Sequence, residues 1–278
     1  MPLPLLEHIV YGPVRSRRLG RSLGINLLPP GMKICTMNCA YCQYGWTRLA
    51  ASDRAERSGW PTAQAVERAI EARLARAAAD NETIDRVTVA GHGEPTLHPR
   101  FDAVIERLAA VRDRLAPDLP LAILSNSTTA GVAAVARGLA RLDERYMKLD
   151  AGDPFTGAAV NASRVPFTTI VDALGRLPPV VIQAMFVTDA VGRVDNTRDG
   201  AVAAWLDALD AIRPSSVHLY TLDRAPALGS LRPAPPARLR EIAERVRRAG
   251  YRAEVFAGSA PRRARSAAQE IDPVQSGE

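Results

Sequence analysis

Cys35-Thr36-Met37-Asn38-Cys39-Ala40-Tyr41-Cys42 gathers all three cysteines of this 278-residue chain into one CxxxCxxC loop. A thiolate is a soft, readily deprotonated ligand, and three of them on eight residues can serve one metal centre without help from distant sequence. A structural zinc site wants a fourth ligand nearby, and a structural iron–sulfur cluster usually takes four cysteines. His8, His92, His98 and His218 would each have to come from afar. Three thiolates therefore suit an iron–sulfur cluster with one iron left open, with a zinc knuckle or three incidental thiols as the plainer alternatives. Immediately upstream, Leu23-Gly24-Ile25-Asn26-Leu27-Leu28 reads as a buried strand stopped by Pro29-Pro30-Gly31. The loop thus stands beyond the C-terminal end of a strand, where α/β proteins place their ligands.

Working outward, strand and helix patterns alternate. Helical periodicity runs over 62–79, 99–115, 130–142, 165–177, 199–212 and 237–249, and apolar or β-branched strands over 85–90, 121–125, 145–149, 180–187 and 216–222. Residues 252–256 add a possible edge strand. Strands separated by such long crossovers pair in parallel and in a right-handed sense. Six βα units are two short of a full barrel, so the expected fold is α/β, a partial (β/α)6 barrel of parallel strands. An open Rossmann-like sheet is the alternative, but no GxGxxG follows any of these strands. The expected organisation is an N-terminal arm over 1–22, the barrel over 23–256, and a disordered tail over 257–278 that lacks periodicity.

The strand ends carry the polar residues. After 87–90 comes Gly91-His92-Gly93-Glu94-Pro95, with glycines for close backbone approach and one carboxylate. Ser125-Asn126-Ser127-Thr128 follows the next strand and equally suits a helix N-cap. Lys148 and Asp150 share one face of the strand after that, as site residues or as a buried ion pair. Gln183 and Met185 share a face, as do His218 and Tyr220, and Asp223-Arg224 closes the last full strand.

These stretches resemble the radical S-adenosylmethionine (radical SAM) superfamily. The likeness rests on CxxxCxxC with an aromatic before its last cysteine and on Gly93-Glu94-Pro95 one βα unit later. GPVxSRRLGRSLGIN, MKLDAGD and YTLDR further resemble the subgroup that contains the tRNA wyosine-base synthases, over about residues 9 to 256. The resemblance implies a 4Fe-4S cluster on Cys35, Cys39 and Cys42, with SAM chelated at the open iron. Reductive cleavage of SAM then gives a 5′-deoxyadenosyl radical that takes hydrogen from substrate. It further implies SAM contacts from Tyr41, Gly93, Glu94, Asn126, Lys148, Asp150 and Gln183, and a reducing partner of flavodoxin or ferredoxin type. Lys148 and Asp150 stand in the reverse order to the Asp/Lys pair of related activating enzymes, and His92 stands where the glycine motif often has Gly. The wyosine synthases carry a second cluster on further N-terminal cysteines, which this chain does not have. Substrate contacts are expected from Arg17, Arg18, Tyr220, Asp223 and Arg224, since strand-end loops vary with the reaction. No catalytic acid or base is assigned.

A net charge of +6 raises the question of nucleic acid, and tRNA is a possible partner. Of the 36 basic residues only Lys33 and Lys148 are lysines. The runs Arg15–Arg21 and Arg262–Arg265 read as solvated basic faces or as a phosphate grip. A non-enzymatic zinc or nucleic-acid binding module is the rival from another class. No apolar run approaches the roughly 18 to 20 residues of a membrane span, and residues 1–8 lack a signal-peptide pattern, so a cytoplasmic protein is expected.

Overall fold

The computed structural model describes residues 2–47 and 59–257. In chain order the elements are β1 (Val10–Ser16), β2 (Gly20–Ile25), α1 (Ala63–Ala79), β3 (Arg86–Val89), α2 (Phe101–Leu115), β4 (Leu121–Ser125) and α3 (Ala133–Ala140). There follow β5 (Glu144–Lys148), α4 (Pro154–Asn161), α5 (Phe167–Gly175), β6 (Val181–Met185), β7 (Val187–Asp189) and α6 (Asp199–Ile212). The last are β8 (Ser216–Tyr220), β9 (Leu231–Pro233), α7 (Pro236–Arg248) and β10 (Ala253–Phe256). Local chemistry sets the boundaries. Thr62 caps α1 by accepting from Ala65 N at 3.1 Å, and the α1 residues Val66, Ile70, Leu74 and Ala77 form one buried stripe. Asp153 caps α4 with Pro154 at its first position, and Ala162 ends that helix in the left-handed region.

Eight strands form one curled sheet in the order β1-β2-β3-β4-β5-β6-β8-β10, parallel throughout except for β1, which is antiparallel to β2. The expected partial barrel is therefore present, with β10 as a parallel edge strand. β7 and β9 pair separately as a short antiparallel ladder. Val87, Val89, Leu121, Ile123, Met147, Ile182, Ala184, Val217 and Leu219 alternate onto the outer face and join the helix residues in one buried core. The opposite, concave face is far more polar, with Ser22, Thr88, Tyr146, Lys148, Gln183, His218 and Tyr220 in register across it.

Three details differ from the sequence reading. The first parallel strand spans Gly20–Ile25 rather than 23–28, because Asn26 turns back on itself through bonds of 3.2 Å to Leu28 N and O. Residues 10–16, expected within an arm, form edge strand β1, and its register shifts between Tyr11 and Val14, around Pro13. α4 is an additional helix that the periodicity does not announce. The tail lies outside the described residues from 258 onward, and so does the Arg262–Arg265 run.

The turn joining β1 and β2 is pinned from both sides. Ser16 Oγ accepts from the backbone of Arg18 and Leu19, and Arg21 N donates to Asp85 at 2.6 Å. Leu19 packs against Ala122 and Tyr146 on the concave face. Arg17 pairs with Asp223 at 3.1 Å and donates to Ala257 O, so a turn from one edge of the sheet meets residues just past β8 and β10 at the other.

Candidate metal centre and cofactor site

The cysteine loop is clamped over the ends of β2 and β3. Glu94 N donates to Ile34 O at 2.9 Å, and a Cβ on Gly93 would stand 2.1 Å from that oxygen, so only glycine permits the approach. His92, fully buried, accepts from Leu6 N at 3.0 Å through Nδ1 while Nε2 faces Met32 O at 3.0 Å and Pro29 O at 3.2 Å. That arrangement suits a neutral ring protonated on Nε2, and burial accordingly holds its pKa below the ordinary value. The far side of the loop is held by α4, whose last carbonyls would otherwise lack partners. Asn38 N and Ala40 N each donate at 2.9 Å, to Asn161 O and Val160 O respectively.

Each cysteine sulfur has its own N–H donor, and each donor comes from a different place in the chain. Asn126 Nδ2 lies 3.4 Å from Cys35 Sγ, Asn161 Nδ2 lies 3.3 Å from Cys39 Sγ, and Lys33 Nζ lies 3.2 Å from Cys42 Sγ. Donors aimed at sulfur suit thiolates that carry charge, so the residues fit an iron–sulfur centre. Among the described residues no group of three or more His, Cys, Asp or Glu is placed to hold a single metal ion. Burial pushes the Cys35 thiol up to about 12, helped by Cys39 and Glu94, and burial raises Cys39 as well. Bare Cys35 and Cys39 keep their protons until a cation displaces them, which makes assembly of a centre proton-releasing.

Tyr41, between the last two cysteines, joins a buried network. Its hydroxyl donates to Asp150 Oδ2 and receives from Lys148 Nζ at 2.5 Å. Asp150 is closed off from solvent and also accepts from Asn161 Nδ2 at 2.7 Å and Met185 N at 2.8 Å, with Lys148 at 3.5 Å. Burial works against the Lys148 charge, but Asp150, Tyr220 and Cys39 together outweigh it and keep the ammonium protonated. Asp150 is thus a bracket for the loop, and Lys148 is the member whose side chain remains partly open at 17% exposure. A cavity of about 190 Å3 opens beside the pair, lined by Met37, Asp150, Gly157 and Asn161 among others.

Glu94 is equally occupied. Its Oε1 accepts from Thr96 N, Thr96 Oγ1 and Ser125 Oγ, and Oε2 from Asn126 N at 2.6 Å. Burial raises its pKa, while those bonds work in the other direction. The carboxylate ties the Gly93-Glu94 turn to the end of β4, leaving capacity only on Oε2. Asn126 does not cap α3, whose cap is Val132. Its Oδ1 accepts from Thr128 N, and its Nδ2 turns to Cys35 and Thr36.

A model of the radical SAM superfamily matches residues 30–182, more than half of the chain. The chain belongs to the radical SAM superfamily. The UPF0026 protein of Methanocaldococcus jannaschii is 36% identical over 145 residues, which are 52% of this chain and 41% of that protein. The chain thus spans about two fifths of the length of this curated relative. A radical SAM methyltransferase from Sphaerobacter thermophilus superposes with a TM-score of 0.61 at 16% identity, covering 85% of this chain and 66% of that one. TYW1 with a lysine–pyruvate adduct bound gives 0.59 at 14% identity, covering 82% and 73%. At such identities the solved structures share the fold.

Within this radical SAM fold the remaining expected residues fall into two groups. Arg17, Arg18, Tyr220, Asp223 and Gln183 come together where the β1–β2 turn meets β6 and β8, and Gln183 bonds Arg18 and Tyr146 O. Arg224 lies apart, donating to Gln43 at 3.2 Å beside the end of the cysteine loop. Asn161 and Lys33 join the site without having been expected there. Lys33 carried a signal, being one of two lysines, and both of them reach the cysteine loop. Among the described residues no helix is long and apolar enough to cross a membrane.

Proposed function

We propose that the chain is a radical SAM enzyme that holds one 4Fe-4S cluster on Cys35, Cys39 and Cys42 and binds SAM at the strand ends beside it. The observation that carries this reading is the separate N–H donor on each of the three sulfurs. When bound, the cluster and SAM would supply one-electron reductive cleavage to methionine and a 5′-deoxyadenosyl radical, which then takes a hydrogen atom from substrate. The electron comes from a reductant of flavodoxin or ferredoxin type.

The chain's own part is to place and shield. Gly93 brings backbone close to the cysteine loop, and Asn126 directs its amide at Cys35. Tyr41, Lys148 and Asp150 lock the loop to β5, and the Lys148 ammonium is the cation available to a SAM carboxylate. Gln183 lies one strand further along the concave face. Residues 23–256 form the working unit, in a reducing compartment such as the cytoplasm, where thiols persist. Wyosine-type modification of tRNA remains the second reading, on the motifs shared with that subgroup.

Anaerobic reconstitution should load about four irons per chain. The reduced protein should then convert SAM to 5′-deoxyadenosine, and Cys39→Ala should abolish this. A C39A protein that retains its iron and cleaves SAM at the parent rate would overturn the ligand assignment.

A further inference from the structure

Arg18 enters the concave face on the β1–β2 turn. Its guanidinium carbon lies 4.2 Å from the centroid of the Tyr220 ring, and Nη1 donates to Gln183 Oε1. Gln183 cannot swing away, because its Nε2 donates to Tyr146 O at 3.0 Å. The fork is therefore fixed by a stack and by an oriented amide, and among the described residues Gln183 is the one hydrogen-bond acceptor its guanidinium meets.

The charges around it do not balance. Arg86 pairs with Glu144, and Lys148 pairs with Asp150 at 3.5 Å. Glu254, half-exposed on edge strand β10, faces His218 at 3.8 Å. Asp223, the carboxylate past the end of β8, is taken by Arg17. Among the described residues no carboxylate pairs with Arg18, although its side chain is only partly exposed. A preorganised guanidinium that no carboxylate among the described residues pairs, on a partly desolvated face, is a receptor for a planar or tetrahedral oxyanion, which it can grip through two N–H groups.

Position indicates what that anion belongs to. Gln183 is in register with Lys148 on one side and with His218 on the other, and Lys148 reaches Tyr41 in the cysteine loop. Arg18 thus touches the sheet one strand over from the residue that meets the loop, on the same concave face. We propose that Arg18, held by Gln183 and Tyr220, is the anion subsite for the substrate, which carries a carboxylate or phosphate and binds with that group on Arg18 and its reacting C–H toward the strand ends. This rests on the radical SAM reading above, which supplies the reaction at the strand ends.

The test uses the reconstituted full chain, anaerobically, in thermal unfolding titrated with inorganic phosphate or acetate at constant ionic strength, with chloride as the control. The expected result is saturable stabilisation of the parent, little changed in Arg240→Gln at an exposed position of α7, with the half-saturating concentration raised at least tenfold in Arg18→Gln. The stronger of the two anions identifies the group. Should R18Q fail to fold, Arg18→Lys decides, since it keeps the charge and loses the fork: at least tenfold weaker response supports the subsite, and an unchanged one overturns it. The proposal also falls if R18Q responds like the parent, or if saturating SAM abolishes the anion effect, which would give the site to the methionine carboxylate. Iron content and SAM cleavage are measured separately, so failure here is distinguishable from failure of the radical SAM reading.

Discussion

Asn161 Nδ2 stands 3.3 Å from Cys39 Sγ, although 122 residues separate the two in sequence. The same nitrogen lies 2.7 Å from Asp150 Oδ2, so the last residue of α4 couples a cysteine of the loop to the carboxylate at the end of β5. Asn161→Asp would replace the shared donor by a second carboxylate against Asp150. Iron bound per chain after reconstitution should fall several-fold, and stability should drop by on the order of 2 kcal/mol in denaturant melts. Full loading in N161D would show that the amide plays no part in holding the loop.

Lys33 gives the Cys42 edge a charged donor, whereas the other two sulfurs face neutral amides. A nearby ammonium favours the more negative, reduced form of a cluster. Lys33→Met should therefore lower the reduction potential in a titration followed by electron paramagnetic resonance. A tenfold shift in the equilibrium corresponds to about 59 mV for one electron. Lys33→Arg should fall between K33M and the parent, and an unchanged potential in the methionine variant would remove Lys33 from this role.

Gly93→Ala places a methyl 2.1 Å from the Ile34 carbonyl oxygen, a backbone atom that cannot swing aside. The loop must move, and iron loading should fall with it. Gly200→Ala, near the start of α6, meets nothing within 4 Å and should be neutral or slightly stabilising, by up to about 1 kcal/mol. Equal loading in both variants would show that the close approach at Gly93 is dispensable.

His92 and His218 are both held neutral by burial. Their folded pKa values lie below the unfolded value of about 6.5, so the unfolded chain takes up more protons as pH falls. This contribution to stability is complete above about pH 6.5 and is lost as pH drops through that value. His92→Gln cannot titrate and should flatten the pH dependence of stability between about pH 5 and 7, while costing on the order of 1–3 kcal/mol from bonds to Leu6, Pro29 and Met32. An identical slope in H92Q would show that the ring is not the titrating group.

The parallel sheet was legible because its strands are bounded by periodic helices. β4 and α6 fall on the expected residues to the letter. β1 was not, since Gly12 and Pro13 interrupt it, which an edge strand with a register shift can absorb. α4 was hidden by its composition: eight residues with Gly157 and β-branched Thr156 and Val160 carry little helix propensity, and only the Asp153-Pro154 start marked it. Missing α4 meant missing Asn161. The types at Glu94, Lys148 and Asp150 were readable from spacing, but spacing cannot say that both carboxylates already accept several hydrogen bonds from the chain itself.

Arg17 and Ala257, joined by a hydrogen bond, are 240 residues apart. During synthesis the β1–β2 turn emerges long before the strands it will meet, and for most of that time Arg17, Arg18 and Leu19 have no docking surface. Closing so long a loop is slow relative to the local βα contacts, so the seam between the two sheet edges should form last when the protein folds and open first when it is perturbed. In hydrogen exchange, the amides of Arg18 and Leu19 should lose protection well before those of β4 and β5.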